Sequence, residues 1–308
     1  MTEEFNTTAE AEPAQGVEDT VRQQSFETDG PIEVDLGTGA GRIEVRLVEE
    51  PGVQVEVRHD PAAGSPWMHG MSSLLNWFSG QFGEGAAEVS PADAVRQTRI
   101  DMTGGRLVVR TPKALPLRTV PVAVTVRAPA GSHVSARTGS ANISVTGAAG
   151  RLELHTGSGE ISSERADGVA NVHTGSGAVR LGAMLGGVRA RTGTGDLEVT
   201  SVGGTTSLFT GSGDVWVGAV SGDVMARTGS GDLTVADAAA GQIELHSGSG
   251  TIRVGVRSGC AAEVDLSSAT GDARSELTLS DTAPSSAPAL RIRGRTASGA
   301  AIVSPAAT

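Results

Sequence analysis

The sequence has few of the residues from which ordinary globular cores are built. Its 308 residues include no tyrosine, and aromatic residues make up only 3% of the chain. A core built on large rings is therefore excluded, and the fold must bury many small aliphatic side chains in a narrow space. Glycine, by contrast, is very frequent, with 43 residues.

Cysteine and long apolar runs are also scarce. The one cysteine, Cys260, excludes an intramolecular disulfide and multi-cysteine zinc or redox motifs, and we interpret it as a small buried residue. No segment approaches the roughly 20 apolar residues of a membrane span. The N-terminus has neither a basic start nor an apolar stretch typical of a secretory signal, so we expect a cytoplasmic protein.

Basic residues are outnumbered by acidic ones. Lys113 is the only lysine, and the net charge is −11. An acidic surface repels phosphate backbones, so we do not expect nucleic-acid binding. Residues 1–29 have the composition of a disordered acidic tail, and residues 304–308 form a second short tail.

An 18-residue repeat dominates the rest of the chain. It is centred on Thr-Gly-Ser-Gly and is regular over residues 137–256. The first glycine of the motif, taken as position 1, recurs at constant spacing at Gly139, Gly157, Gly175, Gly193, Gly211 and Gly229. Gly248 follows with the spacing lengthened by a single inserted residue. Such self-similarity is typical of a solenoid.

Each repeat contains two short segments in which apolar residues alternate with polar ones. Positions 5 and 7 form one segment, as in Leu197 and Val199, and positions 14 and 16 form the other, as in Val224 and Ala226. Alternation with period two predicts strands with one buried face. Glycines between the strands predict tight corners with positive φ. The structural turns are assigned to Gly157, Gly175, Gly193, Gly211, Gly213 and Gly229.

Identical units must stack, because each strand needs a neighbour for its backbone hydrogen bonds. The sequence therefore predicts an all-β fold, a right-handed parallel β-helix over residues 30–303. A left-handed β-helix also has 18-residue coils, but it needs an aliphatic residue every six positions. Stepping by six from Val202 reaches Leu208 and then Asp214, so the pattern fails.

Three segments resemble a bacterial family of β-strand-repeat proteins. They are TVPVAVTVRAPAGSHVSARTGSANISV, which precedes repeated TGSGDLxV, then VDLSSATGDARSEL and finally RIRGRTASGAAIV. The family is known as a domain of unknown function or "putative adhesin", and the resemblance covers roughly residues 30–303. It implies a right-handed β-helix and no known activity. The adhesin description implies a location at the cell surface.

The repeated motifs carry polar side chains that could be read as chemistry. A serine nucleophile is disfavoured because the Gly-Ser-Gly serine recurs in copy after copy; its hydroxyl is expected to satisfy backbone groups at the corners. Gly-x-Gly resembles a phosphate loop, but no helix or Gly-Lys follows it. We therefore predict no catalytic residues, no cofactor and no enzyme activity, and no polysaccharide-cleaving cleft, because the turns are short.

Three side-chain columns allow further alternatives. Aspartates at position 4 could form a calcium ladder, but their spacing differs from that of calcium-binding repeats, and pairing of Arg191 with Asp196 and of Arg227 with Asp232 is preferred. Histidines and arginines at position 17 are interpreted as a solvated face rather than as a metal site. Threonines at position 18 would form an ice-binding array if they pointed outward, but the alternation turns them inward.

Residues 65–96 interrupt the strand pattern. Trp67, Met71, Leu74, Leu75, Phe78 and Phe82 fall on one face of a helix, and Trp77 adds to the aromatic content. A shorter helical turn should start at Ser90-Pro91 before strands resume at Arg99. This amphipathic insertion either caps the solenoid or binds a protein partner or a second copy.

Together these patterns predict a non-enzymatic β-helical scaffold or binding protein that acts through surface contacts. The alternative is a cell-surface adhesin that binds glycan or protein.

Overall fold

The computed structural model describes residues 21–63, 90–278 and 288–307. Within these ranges the chain forms 23 strands, one short α-helix and two 3-10 turns. All strands belong to one continuous, mostly parallel hydrogen-bonded array, with antiparallel pairs only at the N-terminal end. The protein is an all-β solenoid, as the repeat predicts.

The regular coils each contain two strands, commonly of six and seven residues, separated by glycine-rich corners. These strands are β7 (His133–Ala149), β8 (Arg151–Ser158), β9 (Ile161–Ala166), β10 (Ala170–Ser176), β11 (Val179–Met184), β12 (Val188–Thr194), β13 (Leu197–Val202), β14 (Thr206–Ser212), β15 (Val215–Val220), β16 (Val224–Ser230), β17 (Leu233–Ala238), β18 (Gly241–Ser249) and β19 (Ile252–Val256).

The register between coils equals the sequence repeat. Val172 in β10 pairs with Ala190 in β12, and Leu197 in β13 pairs with Val215 in β15, each one repeat later in the chain. Even-numbered strands from β8 to β18 form one parallel ladder, and odd-numbered strands from β9 to β19 form the other. Two strands per coil, rather than three six-residue faces, fit the right-handed form, since parallel crossovers are almost always right-handed.

The core lies between the two ladders and consists of small aliphatic side chains. In one coil Leu197, Val199 and Val202 come from one strand and Leu208 from the next, and all four are buried. The residues between them point outward. Alternation of period two therefore fills the narrow interior without aromatic rings, as the composition requires.

The threonines at position 18 point into this interior, as the alternation predicts. Thr174, Thr192, Thr210 and Thr228 are all buried. Each hydroxyl donates a hydrogen bond to the carbonyl of the position-3 glycine in the preceding coil, as Thr210 does to Gly195 at 3.0 Å. Because these hydroxyls satisfy corner carbonyls inside the solenoid, they do not form an outward ice-binding array.

The corner glycines are needed for two different reasons. Gly213, at position 3, has φ +142°, a conformation that favours glycine. Gly211, at position 1, lies outside the positive-φ set, and so do the equivalent turn glycines Gly157, Gly175, Gly193 and Gly229. The expectation of positive φ was wrong for these five positions. A Cβ at Gly211 would instead lie 2.5 Å from the carbonyl oxygen of Gly193, so the close approach of stacked coils excludes a side chain.

The N-terminal end closes with antiparallel strands. Strand β2 (Glu33–Val48) forms a complete coil beside β7, and its two halves pair on the other side with β5 (Arg106–Arg110) and β6 (Pro121–Pro129). Two outer strands then pair antiparallel, β4 (Arg99–Thr103) with β5 and β3 (Val53–His59) with β6. A 3-10 turn (Leu117–Thr119) precedes β6.

Part of the predicted disordered tail is a strand. Strand β1 (Arg22–Phe26) lies within residues 1–29 and pairs antiparallel with β3, so that Phe26 stands opposite Val53. The tail prediction was wrong for this segment because its composition is polar, whereas the ladder bonds that order it come from a strand about 30 residues away.

The one helix of the described ranges is α1 (Pro91–Arg96), which follows Ser90 as the sequence predicts. Its Ala94 and Val95 are buried in the core cluster. A 3-10 turn (Pro61–Ala63) precedes the predicted amphipathic segment. Trp67, Met71, Leu74, Leu75, Trp77, Phe78 and Phe82 lie outside the described residues, so the cap and partner hypotheses for them stay predictions.

The C-terminal coils are not stacked in chain order. Strand β22 (Leu290–Ser298) inserts between β18 and β20 (Ala262–Ser268), and β23 (Ala301–Pro305) inserts between β19 and β21 (Ala273–Ser275). The later coil is thus covered on both sides, and its Ile292 is buried, whereas Val264 in the outermost coil is only partly buried. Cys260 is likewise only partly buried, contrary to expectation, because it adjoins this last coil.

Candidate functional site

The side chains at position 17 form a column along one outer face of the solenoid. They lie between the inward positions 16 and 18 and therefore point outward. Parallel pairing places them directly beside one another, coil after coil, about 4.8 Å apart. The column runs through Arg137, His155, His173, Arg191, Phe209, Arg227, His246 and Arg295.

Position 15, on the same strands, adds further charges to this face. Arg189 lies in β12 and Arg293 in β22, while Glu153 and Glu244 lie in β8 and β18. We define the basic face as the outward side chains of Arg137, His173, Arg189, Arg191, Arg227, Arg293 and Arg295. All seven are exposed.

Position 15 also carries four carboxylates in register, Asp35, Glu153, Glu244 and Asp265, which neutralise part of the charge of this surface. Glu153 accepts from Arg137, and Glu244 lies 2.9 Å from Nε2 of His246. The hydrogen bond from His246 holds the pKa of Glu244 below its ordinary value. Among the described residues, Arg189, Arg191, Arg227, Arg293 and Arg295 make no ion pair, so the face keeps a positive charge in a chain whose net charge is negative.

Two histidines of the column lie side by side. The ring centroids of His155 and His173 are 6.0 Å apart. Burial lowers the pKa of His155, and the nearby charges of Arg137 and His173 act in the same direction against the opposing effect of Glu153. His155 is half-buried and His173 is exposed, so both rings reach the outer surface, and Glu153 lies 3.6 Å from Nε2 of His155. The described ranges contain no cluster of three or more groups that could hold a metal ion, and the absence of a metal at this pair stays a prediction.

The aspartates at position 4 bind backbone rather than the predicted arginines. Oδ1 of Asp196 accepts a hydrogen bond from the backbone N–H of Asp214 at 2.9 Å. Neither Arg191 with Asp196 nor Arg227 with Asp232 forms an ion pair in the described structure; Asp232 lies 3.5 Å from Arg253 instead. The pairing prediction was wrong because position 17 and position 4 lie on opposite sides of the corner, while the next coil offers a free N–H.

The hydroxyls of the Gly-Ser-Gly serines Ser212 and Ser230 do not bond to corner backbone groups of the described residues, so the role expected of them was wrong there. Ser212 and Ser230 are exposed on neighbouring coils, and the hydroxyl of Ser230 donates to that of Ser212 at 3.4 Å. Their backbone carbonyls accept hydrogen bonds from Thr210 and Thr228. The threonine hydroxyls thus serve the backbone carbonyls of the turn, while the serine hydroxyls contact one another between coils.

Sequence reasoning identified column 17 but not the full extent of the basic face. Arg293 and Arg295 join it because β22 inserts beside β18, a pairing that chain order conceals. It also missed Trp216, which is 38% exposed on the opposite ladder. The alternation of β15 already indicates that Trp216 points outward.

No helix in the described ranges has the length and apolarity that crossing a lipid bilayer requires.

Comparison with known proteins gives a family and a set of distant folds. Residues 106–296, well over half of the chain, match the model of the family named Toastrack DUF4097. A "putative adhesin" from Bacteroides fragilis NCTC 9343 is 10% identical, with 92% of this chain and 97% of that chain covered and a TM-score of 0.44. A "putative lipid binding protein" from Parabacteroides distasonis ATCC 8503 is 11% identical, with 93% and 95% covered and a TM-score of 0.37.

These two structural similarities are too weak to indicate an activity, and no protein with a curated description matches the chain. The family match is of another kind, because it runs from β5 through the regular repeats into β22. The 18-residue coils, their glycine corners and this match agree, and the chain belongs to the Toastrack DUF4097 family.

Proposed function

We propose that this protein is a non-enzymatic scaffold that binds an acidic partner through its basic face. The observation that carries the proposal is the register of the even-numbered ladder. It places Arg191, Arg227 and Arg295 in one straight column and leaves them without carboxylate partners among the described residues. Because strand register alone aligns these arginines, they form a recognition surface without any rearrangement.

The chemistry of this surface favours carboxylate-bearing partners. Guanidinium groups match carboxylates with two parallel hydrogen bonds, and they lose less hydration than an ammonium group does. Phe209 lies in the column between Arg191 and Arg227 and supplies apolar contact area at its centre. An acidic protein segment that runs along the solenoid axis would meet Arg191, Arg227 and Arg295 at every second strand, about 9–10 Å apart.

A binding role also agrees with what the polar side chains do. The repeated threonines and aspartates are engaged with corner backbone, as described for Thr210 and Asp196. On the basic face, the arginines without ion pairs and Phe209 are available for contact. These groups bind and orient, but they do not form an acid–base pair.

The experiment that tests the proposal compares two double variants in the native host. Arg191→Ser with Arg227→Ser removes charge from the basic face. Arg180→Ser with Arg253→Ser removes equal charge from the opposite ladder, where both arginines are already paired with carboxylates. Cross-linking followed by pull-down should recover the same partner with wild type and with the control, and lose it with the first variant. Identical recovery with all three proteins would overturn the proposal.

We further propose that the protein acts in the cytoplasm, and the same tagged strain tests this location. Detection of the protein in the cytoplasmic fraction would support it. Detection at the cell surface or in the culture medium would favour the alternative, an adhesin that binds glycan or protein.

A further inference from the structure

The column at position 17 has a gap at the first coil. In register, β5, β2 and β7 place Arg110, Gly37 and Arg137 side by side. Gly37 has no side chain, and the side chain of Arg110 lies across it, with Nη1 2.5 Å from where a Cβ of Gly37 would be. A cavity of 510 Å³ adjoins this place and is lined by Gly37, Arg110 and Arg137 among others.

Four cations line this cavity, three from residues 110–118 and the fourth, Arg137, from the neighbouring coil. Arg110 and Arg137 flank the gap, while Lys113 and Arg118 lie on the segment that connects β5 to β6. Lys113 is the only lysine of the chain. Two threonines, Thr111 and Thr138, add polar lining, and no carboxylate is among the described residues that surround the space.

The cations of the cavity are only half neutralised. Arg110 lies 2.7 Å from Oδ1 of Asp35, and Arg137 pairs with Glu153. Within the described ranges, Lys113 and Arg118 make no ion pair. Four positive charges against two paired carboxylates leave a local excess of two in a chain whose net charge is −11. A concave surface of one sign attracts ligands of the opposite sign.

The floor of the cavity is backbone that approaches closely. A Cβ on Gly37 would lie 2.5 Å from Nη1 of Arg110, and a Cβ on Gly39 would overlap the carbonyl oxygen of Arg118. Glycines at both positions let the connecting segment lie flat on the first coil. Arg110 is half-buried against this floor, and Lys113, Arg118 and Arg137 are exposed around it.

We propose that this cavity binds the phosphate monoester group of a soluble small molecule. A phosphate monoester carries close to two negative charges at neutral pH, which matches the local excess of two positive charges. Its oxygens accept hydrogen bonds from guanidinium and ammonium groups, and arginine binds them in a bidentate manner. The volume exceeds that of a phosphate group alone and lies within the range of small-molecule sites, so the organic part of the ligand also fits. This site goes beyond the proposed partner surface, although Arg137 belongs to both.

Isothermal titration of the full chain with glycerol 3-phosphate tests the proposal directly. We expect saturable binding at one site, weakened at least tenfold by Lys113→Ala with Arg118→Ala. A second variant, Gly37→Ala, keeps every charge but places a methyl group where the side chain of Arg110 now lies, so that this side chain must move. It should also weaken binding at least tenfold. The control Arg180→Ser with Arg253→Ser should bind like wild type.

Each result decides the matter. Absence of binding to wild type, or equal binding by all variants, would overturn the proposal. Vesicles of phosphatidylcholine with phosphatidic acid distinguish a lipid headgroup from a soluble ester, and binding to these vesicles without binding to glycerol 3-phosphate would also overturn it. Failure of the partner surface is a separate outcome, because Arg191→Ser with Arg227→Ser should leave glycerol 3-phosphate binding unchanged.

Discussion

The backbone N–H of Asp232 donates a hydrogen bond to Oδ1 of Asp214, one coil earlier, at 2.7 Å. The backbone N–H of Asp214 donates in the same way to Oδ1 of Asp196, and the backbone N–H of Glu160 donates to Oδ1 of Asn142 at 2.9 Å. Position 4 thus joins neighbouring coils at a corner, where the regular ladder is interrupted. A side-chain oxygen replaces the missing carbonyl there.

Replacement of Asp214 tests this role. Asp214→Ala should lower the free energy of unfolding by about 0.5–1.5 kcal/mol, because the N–H of Asp232 loses its partner. Asp214→Asn should stay near wild type, since Asn142 already accepts the equivalent bond through its amide oxygen. Urea denaturation of the three proteins gives the comparison. Equal losses in both variants would show that the charge, and not the hydrogen bond, matters.

The corner glycines allow a second prediction. Gly213→Ala should lower the free energy of unfolding by roughly 1–3 kcal/mol, because its φ of +142° disfavours a side chain and its Cβ would overlap the carbonyl oxygen of Gly195. Gly30→Ala is the matched control, since nothing lies within 4 Å of a Cβ there. Thermal melting should separate the two variants. If both variants have the same melting temperature, the close approach of the coils is not the reason why this corner needs glycine.

Acid should weaken the first coil through Asp35. Burial raises the pKa of Asp35, but the hydrogen bonds and charges of Arg106 and Arg110 outweigh it, and the net pKa lies below the ordinary value. A carboxyl with a lowered pKa stabilises the fold above its unfolded pKa of about 3.9, and this contribution disappears as the pH falls through the folded pKa. Asp35→Asn should therefore be less stable than wild type at pH 7, and the difference should narrow below about pH 4.

Denaturation of both proteins at pH 7, 5 and 3 measures this difference. Asp101→Asn serves as control, because Asp101 pairs with Arg99 on an exposed strand and should show a much smaller effect at every pH. A difference in the free energy of unfolding between wild type and Asp35→Asn that stays constant down to pH 3 would contradict the stabilising role given to ionised Asp35.

The regular part of the fold is legible in the sequence because each coil repeats the same local rule. The spacing of Gly193, Gly211 and Gly229 gives the register directly, and the alternation around Thr210 gives its inward direction. Side chains that depend only on their own coil and its neighbours were therefore predictable. The reason why glycine is needed was predicted only in part. At Gly211 the neighbouring coil, and not the φ of the residue itself, excludes a side chain.

Features that depend on distant pairing could not be read in this way. Strand β22 inserts between β18 and β20, so that Ile292 lies between two strands that both precede it in the chain. One of them, β18, is much farther from it in the sequence than β20 is. The cavity at Gly37 unites Arg110, Lys113 and Arg137 because β2 pairs with strands that lie far from it in the chain. Lys113, as the only lysine, was a sequence signal for this site, but the local sequence pattern does not show which residues surround it.

The most direct test of the account is the binding of a defined acidic chain to the basic face. Poly-L-glutamate, titrated at low salt, should bind wild type and the control Arg180→Ser with Arg253→Ser with similar affinity. Arg191→Ser with Arg227→Ser should bind more weakly by about 5- to 30-fold, at roughly 0.5–1 kcal/mol for each exposed arginine. Added salt should reduce this difference. Equal affinity of all three proteins at low salt would contradict a partner-binding role for this face.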